Sequence, residues 1–176
     1  VIDEIKASSQ FSLPQKSLKL LFDKTAFAMA QQDVRYYLNG MLLEINKDGI
    51  RLVATDGHRL ALSEYNENLN VSSDKQLIIP RKGVLELSRL LKNSDDSANV
   101  ILSQNHIRVE TDEIIFTSKL IDGKFPDYNR VIPLDGNKLL RVNRELLKQS
   151  LHRISILSNE KYRGIRLTLS ENNLLI

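Results

Sequence analysis

The sequence predicts an α+β fold made of a repeated strand–helix–strand–strand–strand unit, with helices on one face of antiparallel sheets. Three observations carry this reading. Three segments share an apolar lead, a polar turn and an amphipathic helix. The first two helices are each followed by short segments of alternating polarity, the period of half-buried strands. Matching turn signals, Asn46-Lys47-Asp48-Gly49 and Gln104-Asn105, separate those segments.

The leads are Phe11-Ser12-Leu13, Leu77-Ile78-Ile79 and Leu140-Arg141-Val142. Pro14, Pro80 and Asn143 follow them at matching places, where a helix begins. Proline suits a first turn whose N–H groups have no intrahelical partner, and Asn is a good N-cap. The helical stripes are Leu18, Leu21, Phe22, Ala26 and Met29; then Val84, Leu87 and Leu91; then Leu147, Leu151 and Ile154. The expected strands are 41–45, 50–54 and 59–63 in the first unit, and 100–102, 107–110 and 114–119 in the second. Even their wording echoes. Ile50-Arg51-Leu52 leads to Thr55-Asp56, and Ile107-Arg108-Val109 leads to Thr111-Asp112.

A third unit starts after residue 138 and reaches strands at 166–169 and 174–176. A final strand without partners leaves an open edge and half a core, so the chain reads as a piece of a longer repeat protein. Residues 1–10 read as a preceding linker, 11–134 as a domain of two units, 135–138 as a linker, and 139–176 as a truncated third unit.

Composition bounds the function. The chain has 176 residues, 41% of them hydrophobic and 27% charged, which is ordinary globular usage. Its zero Cys residues exclude disulfides, thiolate metal sites and a Cys nucleophile, and fit a reducing, cytoplasmic setting. No apolar run approaches the roughly 20 residues that span a bilayer. The net charge of +3 permits contact with nucleic acid without demanding it, so charge placement must carry any electrostatic role.

Three stretches could carry chemistry. In Ala54-Thr55-Asp56-Gly57-His58-Arg59-Leu60, Asp56 and His58 could be half of a triad or two metal ligands. The alternative is a tight turn in which Gly57 supplies a special backbone angle. The stretch 125–133, with Phe125, Pro126, Arg130 and Pro133, suits either a peptide groove or a packed linker. Arg35 beside Tyr36 and Tyr37 can stack on bases or bond phosphates, or the tyrosines can pack on a sheet. Lys16, Lys19, Lys24, Arg81 and Lys82 gather at helix starts and faces, where they are either solvated or an electrostatic surface.

Taken together, five words resemble the bacterial DNA sliding clamps, the beta subunits of replicative DNA polymerase III. They are Asp33-Val34-Arg35-Tyr36-Tyr37-Leu38-Asn39-Gly40, the 54–60 stretch, 79–83, 116–128 and 157–164, and they occur in the family's order. The resemblance runs from about Phe11 to Ile176 and covers the clamp's middle domain and the start of its C-terminal domain. It implies the DNA-clamp fold and a non-catalytic processivity factor without a cofactor. In the whole protein a ring-shaped homodimer would encircle duplex DNA, helices lining the hole. Such a ring slides, so its DNA contacts can be weak, sequence-independent and directed at phosphates.

The resemblance also implies a partner-peptide pocket between the two domains, serving the polymerase, the clamp loader and repair polymerases through a short Gln/Leu/Phe motif. Matching positions are Leu38, Thr55, Gly57, His58, Arg59, Leu60, Pro126, Arg130, Val131 and Tyr162. Leu38, Leu60, Pro126 and Val131 would be apolar walls, and Arg59 and Arg130 would hold polar groups at the rim. Tyr162 stands where many members of the family have Phe. The positions matching DNA contacts are Gln32, Arg35, Tyr36, Tyr37 and Lys82. The readings set against this one are a peptide-binding scaffold with no DNA role, and a hydrolase or metal site at Asp56 and His58.

Overall fold

In the computed structural model, which describes residues 8–69, 71, 73–158 and 164–176, Pro14 and Pro80 each end a strand and start a helix. Both sit at the N-cap with extended backbone (φ −60° and −58°), one residue before the first turn. Neither can cap with a side chain, so neighbouring carbonyls do it at the first helix. Gln15 N–H donates to Asp96 O at 2.8 Å and Lys16 N–H to Ser94 O at 2.9 Å. The third helix is capped by its Asn143 side chain, which accepts from the backbone N–H groups of Glu145 and Leu146 at 3.0 and 3.1 Å.

The chain divides into two units, Val1–Asp127 and Tyr128–Ile176. In the first, strand β1 (Ser9–Pro14) leads to helix α1 (Gln15–Thr25) and a 3-10 turn at Ala26–Ala28. A second 3-10 turn (Tyr36–Asn39) introduces β2 (Gly40–Asn46), β3 (Gly49–Thr55) and β4 (Leu60–Tyr65). The pattern repeats as β5 (Lys75–Pro80), α2 (Arg81–Leu90), β6 (Ser97–Leu102), β7 (His106–Glu110) and β8 (Ile115–Lys119).

The two repeats exchange their leading strands. One sheet has the order β1-β6-β7-β8 and the other β4-β3-β2-β5, all antiparallel. Phe11 thus pairs with Val100, and Ile79 with Met41. Ser9 and Gln10, expected as linker, are already strand, and Ser8 N–H donates to Leu102 O at 2.7 Å.

α1 and α2 pack on one face of the two sheets, over a single core. Phe22, Leu52, Ile79, Val84, Leu87, Leu102 and Val109 are buried there, each contributing roughly 1.5–3 kcal/mol of apolar transfer. On the opposite face of the second sheet, Gln76 Nε2 donates to Glu44 Oε1 at 2.6 Å and Arg51 Nε to Glu64 Oε1 at 2.7 Å, across neighbouring strands.

The second unit holds a 3-10 turn (Tyr128–Arg130), α3 (Arg144–Leu157), β9 (Thr168–Ser170) and β10 (Asn173–Leu175). The expected stripe of Leu147, Leu151 and Ile154 is its half-buried side, and no residue of α3 is buried. The apolar lead 140–142 carries no strand, and the 135–138 stretch lies exposed within this unit.

Candidate functional site: a braced turn and an aromatic loop

β3 and β4 are antiparallel neighbours, so residues 56–59 must reverse the chain between them. Asp56 builds that reversal. Its Oδ1 accepts the backbone N–H groups of His58 (2.9 Å) and Arg59 (3.0 Å), and its Oδ2 accepts Arg59 Nε at 3.1 Å. Partial burial opposes ionisation of Asp56, but these donors outweigh it and hold the carboxyl below its ordinary range. Thr55 Oγ1 accepts Gly57 N–H at 3.1 Å and donates to Arg59 O at 2.7 Å. Gly57 has φ +86°, the left-handed region that an L side chain disfavours. The tight-turn reading of this stretch therefore describes its backbone. Both Asp56 oxygens are occupied by donors. Among the described residues no group of three or more His, Asp or Glu side chains is placed to hold a metal.

The turn is braced on one side by Phe27. Arg59 Nη2 donates to Phe27 O at 2.7 Å, and the guanidinium carbon lies 5.4 Å from the Phe27 ring centroid. On another side stands Arg35. A Cβ added to Gly57 would lie 3.0 Å from Arg35 Nη2 and 3.1 Å from Nη1. Asp33 holds that guanidinium with two bonds, from Nε at 2.9 Å and from Nη2 at 2.8 Å. The Arg35 backbone N–H adds a third, to Asp33 Oδ1 at 2.8 Å. These bonds lower the Asp33 carboxyl from 3.8 to about 2 and raise Arg35.

The loop that carries Arg35 is itself closed. Asn39 Oδ1 accepts Asp33 N–H at 2.9 Å, Asn39 Nδ2 donates to Asp33 O at 2.8 Å, and Ala30 N–H donates to Leu38 O at 3.0 Å. Tyr36 and Tyr37 meet edge to face, centroids 5.7 Å apart. They lie in a 3-10 turn ahead of β2 rather than in a strand, and Tyr36 is 56% exposed. Gly123 lies against Tyr36, where a Cβ would sit 3.3 Å from the ring.

The structure thus brings the turn at 55–60 and the loop that carries Arg35 together, through Arg35 and Gly57. Thr55 and Leu60 are half-buried, whereas Gly57, His58, Arg59 and Pro126 are exposed. Leu38 is only 2% exposed, buried at the end of the loop that carries Arg35. Gln32 (φ +58°), Arg35 and Tyr36 are exposed, and Tyr37 is half-buried. Lys82 is exposed in the first turn of α2. Arg81 Nη1 lies 3.4 Å from Met29 O, which sets that helix start beside the beginning of the loop. Arg130 and Val131 belong to the second unit and are exposed. Tyr162 lies outside the described residues.

Asp33, Asn39 and Phe27 were not singled out from sequence. The Asp-x-Arg spacing, in which a carboxylate accepts the N–H two residues on, is the local signal for the first of them. Nothing local marks Phe27.

Comparisons with known proteins agree with this fold. A family model described as "DNA polymerase III beta subunit, central domain" matches residues 12–127, and one described as "DNA polymerase III beta subunit, C-terminal domain" matches 129–176. The chain is 54% identical over 175 residues to a beta sliding clamp of Pseudomonas aeruginosa, covering 99% of this chain and 48% of that protein. It is 49% identical over 175 residues to a beta sliding clamp of Escherichia coli, with the same coverage. A crystal structure of the Pseudomonas aeruginosa clamp with ligand superposes with a TM-score of 0.94 at 54% identity, covering 99% of this chain and 48% of that one. Another, of a clamp from the same organism bound to griselimycin, superposes at 0.91 with 55% identity, covering 97% of this chain and 46% of that one. The chain spans about half the length of the curated relatives it matches. With both family models matched in order and half of its residues identical across nearly its full length, the chain belongs to the beta sliding clamps of bacterial DNA polymerase III.

Proposed function

We propose that this chain forms part of a non-catalytic processivity factor, a ring-shaped homodimer that encircles duplex DNA and tethers the replicative polymerase. Residues up to 127, with β1 starting at Ser9, act as the clamp's middle domain, and those from 128 as the start of its C-terminal domain, so the stretch 135–138, expected as the linker, falls inside the second unit. The observation that carries this reading is the ordered match of both family models from residue 12 to residue 176. The charge layout supports it. The two helices carry Lys16, Lys19, Lys24, Arg81, Lys82 and Arg89 against Asp23 and Glu86, a net positive layer, whereas on the sheet face away from the core Arg51 is paired with Glu44 and Glu64.

Gln32, Arg35, Tyr36, Tyr37 and Lys82 serve as the sequence-independent DNA contacts, and exposure of Gln32, Arg35, Tyr36 and Lys82 supports that role. Thr55, Gly57, His58, Arg59, Leu60 and Pro126 contribute to a pocket for a short Gln/Leu/Phe-type peptide, with Leu38, Arg130, Val131 and Tyr162 as further members. The clamp loader and repair polymerases dock through the same motif. A relative that binds griselimycin supports a ligand pocket in this family. Primer extension on a long template, with the complete parent protein, its clamp loader and its polymerase, tests the reading. Long products that depend on the parent protein are expected. Product lengths unchanged by its addition would overturn it.

A further inference from the structure

We propose that Asp33 is a positioning residue for the partner-binding turn at 57–59; this rests on the pocket reading given above. Asp33 itself is poorly placed to meet a partner. Its side chain is 21% exposed, and its oxygens already take the guanidinium and backbone N–H groups of Arg35. Its reach is indirect. Asn39, the residue before β2, fixes the Asp33 backbone through two amide bonds. Asp33 then fixes the Arg35 guanidinium through a two-pronged, charge-assisted pair. That guanidinium stands against Gly57 as closely as a missing Cβ permits. The chain of contacts therefore runs from a sheet strand through Asp33 and Arg35 to the backbone that presents His58 and Arg59.

The direct bond between Arg35 and the turn is slight, since Nη2 lies 3.5 Å from Asp56 O. The guanidinium acts mainly as a wall, and a wall has to be held still. Half-exposed arginines lose that order readily without a bidentate partner. Removing the Asp33 charge frees Arg35 to swing away and leaves Gly57, with its unusual φ of +86°, braced from fewer sides.

The test compares the chain with its D33N, R35Q and D33N/R35Q variants, and with D95N, which removes a different surface ion pair, Lys16–Asp95. Backbone amide shifts of Gly57, His58 and Arg59 are followed by NMR. Affinity for a synthetic peptide with a Gln-Leu start and a Leu-Phe end is followed by calorimetry. In D33N the three amides are expected to move and the peptide Kd to rise roughly three- to tenfold, the scale of one ordinary net hydrogen bond. R35Q should act alike, and the double variant should be no worse than either single one, because both break one chain of contacts. D95N should change neither reading, and Asp33→Glu should restore part of the affinity. Unmoved 57–59 amides with unchanged affinity in D33N, or additive losses in the double variant, would overturn the proposal. If the unaltered chain takes no peptide, the pocket reading fails. The amide shifts then decide alone, movement in D33N upholding Asp33 as the residue that positions the turn and stillness overturning it.

Discussion

Thr55 and Thr111 do the same work at equivalent places in the two repeats. Each hydroxyl accepts the backbone N–H of the residue two positions on, Gly57 at 3.1 Å and Glu113 at 3.3 Å. Each closes the reversal between the last two strands of its repeat. The repeats then part company. The first turn has a left-handed glycine walled by Arg35, whereas the second has Glu113, whose side chain pairs with Lys92. One architecture thus supplies a plain hairpin at one site and a shaped, exposed turn at the other.

Replacing Gly57 with Ala tests that difference. The Arg35 guanidinium, held by Asp33, needs to give way by only a few tenths of an ångström, so most of the cost comes from the backbone angle. A non-glycine residue in left-handed geometry costs about 1–2 kcal/mol. Urea unfolding of Gly57→Ala should show a loss of that size. A neutral result would mean that the turn relaxes to an ordinary conformation.

Core and site positions should separate cleanly under truncation. Leu87 is fully buried between α2 and the sheets, so Leu87→Ala should cost about 2–5 kcal/mol of stability. Val131 is 68% exposed, and Val131→Ala should leave the unfolding midpoint nearly unchanged, with a shift within about 0.5 kcal/mol. Leu60 is half-buried and should fall between the two. Calorimetry with the Gln/Leu/Phe-type peptide should nonetheless show weaker binding in both Leu60→Ala and Val131→Ala. Unchanged affinity in both would place the peptide elsewhere.

Most of the secondary structure was legible in the residues, and the physical reason is local. Proline's fixed φ marks the starts of α1 and α2, Asn143 marks the start of α3, and alternation along 41–45 or 107–110 needs no knowledge of partners. The exchange of β1 and β5 was not legible. Both are six-residue strands with inward apolar positions, and nothing in either one says which repeat it will join. The aromatic pair left two readings open for a similar reason. Tyr favours strands, yet the Asp33–Asn39 bonds hold this loop closed and the pair lies in a 3-10 turn. In the site, the turn at 55–60 could be read from its own letters. The Arg35 wall and the Phe27 brace join residues distant in sequence, so no spacing rule announces them.

Acid should loosen the loop before the core. The Asp33 carboxyl is lowered in the folded chain from 3.8 to about 2, and Asp56 is lowered as well. A depressed folded value means that the ionised group favours folding above its unfolded value, and the contribution is lost as pH falls through the folded one. For Asp33 the loss falls between about pH 4 and pH 2. Urea midpoints measured across that range should decline in the unaltered chain and decline less in Asp33→Asn. Parallel curves would separate Asp33 from the acid response.

Any DNA binding by this chain should be weak, indifferent to sequence and steeply reduced by salt, since phosphates would be its targets. Anisotropy titrations with duplexes of unrelated sequence, at several salt concentrations, measure this. Lys82→Ala should lower the log–log salt slope by about 0.9, the value of one lost phosphate contact. A tight complex with one sequence, or a slope unmoved by the substitution, would contradict a sliding role for this surface.

The strand exchange also sets a timetable for synthesis. β1 is made before its partner β6, which ends at Leu102, and until then its hydrogen-bonding edge lacks that partner. At roughly 5–20 residues per second, a ribosome leaves that strand waiting for several seconds. The first repeat, for its part, can complete its own sheet only after β5 arrives from the second. Neither half can finish early and shelter the other, so the nascent chain is committed to folding both repeats in one late step. The long separations between paired strands make that step a slow one. A strand that closes the fold so securely once finished is, during manufacture, the segment most in need of protection.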